Sequence, residues 1–260
     1  LGNLSGKKFA TVTFKKESWK IPTFKNEKGD TVFRFRNSAS GSYIYNCGII
    51  SGNFVLHLYT GKNLLLKKGS VRIHRGNRYF LYEDGSPFFW FADTWWFAST
   101  NRMSWPKNFK RVVNDRKNKG FTVAQIVIGT PPEVKITSKD AMNTGGSVFI
   151  KNNKINPAYF EEVDYKIDYL ISQEIIPCIF GGWGNNTEVL GKKKIKILWR
   201  ELIARYASYP VIFVLCGEID GFVHKNVFVG KRVMYKIFKN DLLKKYFKFS
   251  KIVMSHINIL

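Results

Sequence analysis

Acidic residues are scarce in this chain: 19 Asp and Glu stand against 42 Lys and Arg over 260 residues, a formal net charge of +23. Such an excess attracts polyanions, nucleic acid or acidic polysaccharide among them. It is spread out, however, and its densest runs, Lys192-Lys193-Lys194 and Lys244-Lys245, fall in helix-like stretches where charge ordinarily forms a solvated outer face. Charge alone therefore does not argue for nucleic acid. Cysteine is equally sparse. Three residues make no disulfide framework, and Cys178 and Cys216 lie inside apolar strand-like runs, as core thiols do. No Cys-x-x-Cys and no His pair has metal-ligand spacing, so no metal or other cofactor is expected. No run of eighteen apolar residues occurs, so no membrane span is expected, and the first residues lack the charged-then-apolar pattern of an export signal. No Gly-x-Gly-x-x-Gly follows a strand and opens a helix, and no Ser-His-Asp nucleophile elbow is present.

What is abundant is apolar and aromatic side chain, 45% and 16% of the chain, ample for a packed core. From Phe9 to about Arg75, short alternating segments (Thr11 to Phe14, Thr31 to Arg36, Ser42 to Tyr45, Asn53 to Tyr59) are separated by Gly, Asn and Lys-rich turns. That pattern predicts a small antiparallel β-sandwich over residues 1–75, with no helix. Over residues 76–260 the rhythm becomes strand-helix-strand. Strands are expected at Phe88 to Ala92, Val123 to Ile128, Ile176 to Phe180, Val211 to Leu215 and Ile252 to Met254. Helices are expected at Pro106 to Lys119, Pro157 to Gln173, Lys192 to Ser208 and about Met234 to Phe249. Asn156-Pro157 is a helix start, and Gly120 a stop. Long helices between buried strands imply parallel pairing, in either an open doubly wound sheet or a (β/α)8 TIM-type barrel. Polar or Gly-containing clusters after every strand favour the barrel, which gathers strand ends at one mouth.

Those clusters hold the candidate site residues. Asp93, Trp95 and Trp96 follow the first apolar run as a carboxylate among indoles, the materials of a sugar site; the same residues also fit an aromatic core with Asp93 as a helix cap. Trp183, in Gly181-Gly182-Trp183-Gly184, is either an uncovered stacking platform or a loop-packing side chain. Glu218 ends the fourth apolar strand directly after Gly217. Half-buried among aromatics it would have a raised pKa and could protonate a leaving oxygen; it could also cap a helix or pair with a cation such as Lys225. Asp220 is the fallback carboxylate. Gln125 points from the second strand toward a hydrogen bond inside the barrel or a substrate. His256, after the fifth strand, could orient a sugar hydroxyl or the catalytic carboxylate, or be a frayed histidine.

Several motifs occur in order: Asp84-Gly-x-Pro-Phe-Phe-Trp-x-Ala-Asp-Thr-Trp-Trp96, Ser104-Trp-Pro106, Lys119-Gly-Phe121, Gln125-Ile-Val127, Ile155-Asn-Pro-Ala-Tyr-Phe160, Gly181-Gly-Trp-Gly184 and Ile203-Ala-Arg-Tyr206. Together they resemble the apiosidase-like glycoside hydrolases, TIM-barrel enzymes of plant cell-wall polysaccharide breakdown, strongly from Tyr79 to Glu218 and weakly beyond. The β-rich segment resembles the small sandwich that often precedes this barrel. The resemblance implies a retaining, exo-acting glycosidase of pectic glycans, extracellular or periplasmic, without cofactor. It makes Glu218 the acid/base and places Asp93, Trp95, Trp96 and Trp183 in the substrate pocket. Departures occur at Asn143-Thr144-Gly145-Gly146, where the family has Asn-Glu-Gly-Gly, at Asn185-Asn186, where an aromatic pair is usual, and after His256. The 173 residues from Phe88 to Leu260 compare with about 250 for eight strand-helix units. The resemblance puts the nucleophile on a later strand. The expectation is thus an incomplete barrel, truncated and inactive in hydrolysis as it stands. The alternative is a non-catalytic carbohydrate-binding protein, and a basic nucleic-acid binder is a distant third.

Overall fold

The computed structural model describes residues 8–76, 78–215, 217 and 253–254. Glu218, Asp220, His256, Cys216 and the expected helix at Met234 to Phe249 lie outside the described residues.

In the amino-terminal part, β1 (Phe9–Phe14), β2 (Glu17–Pro22), β5 (Gly41–Cys47) and β6 (Ile50–Leu56) pair antiparallel in the order β2-β1-β5-β6. Between them β3 (Phe24–Lys25) and β4 (Thr31–Val32) form a separate hairpin. Alternation puts Val12 and Tyr43 on the buried face, where the Tyr43 ring stacks between Phe14 at 4.3 Å and Phe54 at 5.6 Å, with Phe35 tilted against it at 5.4 Å. Each ring buries a large apolar area, and the pairs add a favourable contact, which closes a core on this small sheet.

Three local expectations change. Glu17–Pro22 is a strand because β1 gives it a six-residue ladder. Phe33 to Arg36 is not, because Arg34 is drawn off to Asp164. A one-turn helix, α1 (Leu64–Lys68), forms where none is expected: the Asn63 side chain accepts from Leu66 N–H, while Asn63 Nδ2 donates to Ile171 O and Leu64 N–H to Glu174. So short a helix needs such tertiary partners.

Next, β7 (Val71–Ile73), β8 (Phe80–Tyr82) and β9 (Pro87–Phe88) make a small antiparallel sheet. The division expected between residues 75 and 76 falls inside the β7–β8 hairpin. The rest is a parallel sheet of β10 (Ala92–Trp95), β11 (Val123–Val127), β14 (Ile176–Phe180), β15 (Ile212–Val214) and β16 (Val253–Met254), paired in chain order. A hairpin of β12 (Phe149–Ile150) and β13 (Lys154–Ile155) interrupts the connection after β11. The connecting helices are α2 (Lys107–Asn118), α3 (Pro157–Ser172) and α4 (Gly184–Tyr206). Asn156 caps α3 as expected, accepting from Ala158 N–H, and Gly120 follows α2 at φ +80°.

Register places Trp95, Ile126, Ile179 and Phe213 in one row across the sheet. Trp95 meets Phe109 of α2 edge-on at 6.2 Å, and Phe213 meets Trp199 of α4 at 6.0 Å. Helices α2 and α4 therefore lie on the same face. The molecule is a mixed α/β protein with a parallel sheet.

Two element boundaries bear on the site. The first parallel strand begins at Ala92, where the expected strand ends. The apolar run before it goes to the antiparallel sheet, with Phe88 paired to Phe80 and Trp90 packed on Phe80 at 5.2 Å; the chain enters the parallel sheet when Phe91 O accepts from Thr122 and Val123 N–H. Asp93 is consequently inside a strand rather than at its end. Helix α4 starts at Gly184, ahead of the expected Lys192, and is broken at Gly191, whose φ of +70° leaves the helical region.

The amino-terminal part is fastened to the helices by charge. Asp164 of α3 accepts from Arg34 Nη2 at 2.8 Å, Arg205 Nη1 of α4 at 2.9 Å and the Tyr206 hydroxyl at 2.8 Å. Arg205 also donates to Glu201 Oε1 and to Lys25 O, each at 2.7 Å.

Candidate functional site

Alternation within β10 decides which side chains can face a ligand. Asp93 and Trp95 share the face toward α2. Thr94 lies on the other, and there its hydroxyl donates to Gln125 Oε1 at 2.9 Å. Just past the strand ends, the rings of Trp96 and Trp183 meet at 5.5 Å and 55°, with Phe180 5.8 Å from Trp183. Gly217 lies against Trp183 in a parallel bridge, its N–H donating to Gly182 O at 3.3 Å. A Cβ there would come within 2.2 Å of the indole, so only glycine lets the backbone approach this closely. Glu218 is the next residue in the chain.

The structure thus brings together Trp96 and Trp183, and pairs Gln125 with Thr94. It does not bring Asp93 and Trp95 to them, which corrects the expectation of one Asp93-Trp95-Trp96-Trp183 group. Asp93 Oδ2 receives Arg116 Nε of α2 at 2.6 Å, and Trp95 is buried against Phe109. Packing between sheet and helix claims both. Trp183 is not an uncovered platform either: with Trp96, Phe180 and Gly217 around it, the residue is 7% exposed, whereas Trp96 is 39% exposed. Thr94, Arg116 and Phe180 were missed from sequence; the available signal was the two-residue period once β10 is placed at Ala92.

Helix α3 holds the loops around these rings. The Tyr159 hydroxyl donates to Ser99 Oγ at 2.9 Å and accepts from Gly129 N–H at 3.2 Å, tying the loop after β10 to the loop after β11. Lys166 Nζ reaches Glu162 Oε1 at 2.6 Å and Thr100 O at 3.3 Å, and Thr144 N–H donates to Glu162 Oε2 at 3.0 Å. Burial raises the Tyr159 hydroxyl to a pKa of about 12, so it remains a neutral donor at ordinary pH. Burial likewise pushes the Cys178 thiol up, which makes it an inert core group. Among the described residues no group of three His, Cys, Asp or Glu is placed to hold a metal, and no helix is long and apolar enough to cross a membrane.

Asp93 gives a test of its pairing. Partial burial raises its pKa, but hydrogen bonds and charge from Arg116, with the Thr94 N–H, outweigh this and hold the carboxyl below its ordinary range. A carboxylate with a depressed folded pKa stabilises the fold above its unfolded pKa of about 3.9, and that contribution is lost as pH falls through the folded value. Urea midpoints measured from pH 7 to pH 2 are expected to fall less steeply in Asp93→Asn than in the parent chain below about pH 4. Equal slopes would show that the ion pair contributes nothing.

A candidate glycoside hydrolase from Bacteroides vulgatus ATCC 8482 superposes with a TM-score of 0.64 at 16% identity, over 91% of this chain and 50% of that one. A glycoside hydrolase family 5 protein of the same organism gives a TM-score of 0.50 at 22% identity over 66% of this chain and 38% of that one. A third structure, a glycoside hydrolase, gives 0.52 at 21% identity over 66% and 39%. Likeness at such identities speaks for the fold alone, and the chain spans half the length of the first of these proteins. No curated protein matches it in sequence. The model of the apiosidase-like catalytic domain matches residues 74–258, well over half of the chain, and the chain belongs to that glycoside hydrolase-like family.

Proposed function

We propose that the protein is a retaining glycosidase of plant cell-wall, pectic glycans. In this reading residues 76–260 supply about five units of a (β/α)8 TIM-type barrel, and residues 1–75 are a sandwich-like domain set against it. Strand pairing in chain order, with α2 and α4 on one face, favours the barrel over a doubly wound sheet, which has helices on both faces. The observation that carries the reading is the meeting of Trp96 and Trp183 just beyond the C-terminal ends of β10 and β14, where barrel enzymes keep their chemistry. Trp96, the more exposed ring, stacks on the apolar face of a sugar, and Trp183 backs it. Gln125, held by Thr94, hydrogen-bonds a hydroxyl. Glu218 is the acid/base, and His256 orients a hydroxyl or that carboxylate. Asp93 and Trp95 act indirectly, by fixing β10 against α2.

A retaining mechanism needs a second carboxylate about 5–5.5 Å from the first, on the other side of the sugar. The sheet face that carries Thr94 and Gln125 offers none from β10, β11, β14 or β15, whose residues on that side are Ala92, Thr94, Val123, Gln125, Val127, Ile176, Cys178, Phe180, Ile212 and Val214. That favours a second reading, in which this chain binds sugar without turning it over at an enzymatic rate. Acid/base help alone is worth about 10² to 10⁴-fold. The assay is sugar release from aryl glycosides and pectic oligosaccharides by the chain and by Glu218→Gln. The binding-only reading expects glycan binding that Trp96→Ala weakens, with turnover at the level of the Glu218→Gln variant. Turnover that Glu218→Gln abolishes would establish the complete glycosidase and reject the binding-only reading. No glycan binding sensitive to Trp96 would overturn both.

A further inference from the structure

A cleft of about 600 Å³ opens where the β3–β4 hairpin meets the β12–β13 hairpin and α4, and it is lined by none of the residues assigned above to sugar. Its volume is within the range that holds a small ligand. Lys8, Lys25, Lys154 and Arg200 line it, from three separate parts of the chain. Two of these are fastened to the rim: Lys25 Nζ donates to Gly29 O at 2.8 Å, and Arg200 Nη2 to Lys8 O at 2.6 Å. The acidic residue of the lining, Glu201, is bound to Arg205 at 2.7 Å, so its charge is already met. Thr31, also in the lining, has a buried hydroxyl without a hydrogen-bond partner among the described residues, a kind of group that native structures ordinarily satisfy. Ile150, Ile155 and Ile197 add apolar wall.

Clustered cations, an unmet hydroxyl and an apolar wall in one concavity are the complement of a ring that carries a carboxylate. We propose that this cleft binds a uronic acid unit of an acidic oligosaccharide. The choice of a sugar over another anion rests on the glycosidase reading above; the anion preference rests on the cleft itself. Single-stranded nucleic acid is disfavoured because it needs exposed rings for its bases to stack on. The aromatic residue here, Phe24, is buried, and the Arg205 guanidinium covers it at 4.3 Å.

The test is titration calorimetry of the full chain with tri-galacturonate, a neutral trisaccharide and a short single-stranded oligonucleotide. Three variants accompany it: Lys25→Glu with Lys154→Glu, Thr31→Val, and Trp96→Ala. The expected result is tri-galacturonate binding that weakens at least tenfold in the double lysine variant and several-fold in Thr31→Val, and persists in Trp96→Ala. Both lysines are exposed, so the double variant should fold, and Thr31→Val changes no charge. Binding lost in Trp96→Ala but kept in the lysine variant would overturn this cleft while leaving the glycosidase reading intact. Absence of any tri-galacturonate binding would also overturn it. Tighter binding of the oligonucleotide, lost in the same lysine variant, would reassign the surface to nucleic acid. The glycosidase reading is tested separately, by glycan binding that depends on Trp96.

Discussion

Asp164→Ala should lose about 3–5 kcal/mol of stability, because among the described residues it removes the acidic partner of Arg34 and one of the two acidic partners of Arg205. Arg205 is 2% exposed. Its remaining contacts, to Glu201 and Lys25 O, satisfy Nε and Nη2 but leave Nη1 without a carboxylate. The Tyr206 hydroxyl loses its acceptor in the same step. Breaking a buried pair is costly because the surviving charge stays desolvated, and here Arg34 loses its carboxylate while Arg205 keeps Glu201. Since Arg34 comes from the amino-terminal part and Asp164 from α3, the loss falls on the junction between them. Urea unfolding provides the measurement: at an m of about 1–3 kcal/mol/M the midpoint should drop by more than 1 M. A double-mutant cycle with Arg34→Ala should show strong coupling. A loss below about 1 kcal/mol, with no coupling, would mean that the network behaves as an exposed ion pair.

The second large effect is expected at Glu162→Gln. The change keeps shape and an acceptor for Thr144, but leaves the Lys166 ammonium without its carboxylate in a site where the lysine side chain is 2% exposed. The expected loss is again about 3–5 kcal/mol. It has a pH signature. Burial lowers the Lys166 pKa, and the contacts with Glu162 only partly oppose this; without the carboxylate the amine should titrate lower still. Between that folded value and the unfolded lysine value of about 10.4 the unfolded chain binds more protons, so stability rises with pH. The deficit of the variant relative to the parent chain should therefore narrow as pH is raised toward 10. Because Lys166 also holds Thr100 O, hydrogen exchange in the loop after β10 should speed up. A deficit independent of pH, with unchanged exchange at Thr100 to Arg102, would exclude this account.

Much of the framework was legible because it depends on local chemistry. Four of the parallel strands, β11, β14, β15 and β16, and the helices after β10 and β11 come from apolar runs bounded by Gly and Pro, and the α3 start from an Asn cap followed by Pro; the first apolar run went to the antiparallel sheet instead. The ordered motifs from Asp84 to Tyr206 point to the family that the model match establishes. Less legible were α1, which contacts to Ile171 and Glu174 support, and strand β2, whose ladder is supplied by β1. The partners of α1 are remote in the chain, and no window of sequence contains them; β2 follows β1 across a tight turn, and it is the ladder to β1 rather than its own residue pattern that marks it as a strand.

For the site, sequence by itself determined which residues alternate once β10 is placed at Ala92: Asp93 with Trp95, and Thr94 with the residue beyond Trp95. The two-residue period of a strand requires it. Which pair would be given to the core was decided only in three dimensions. Phe109 and Arg116 are one helix away in the chain, and it is their packing against β10 that turns Trp95 inward and neutralises Asp93, leaving Trp96 to meet Trp183 beyond the sheet.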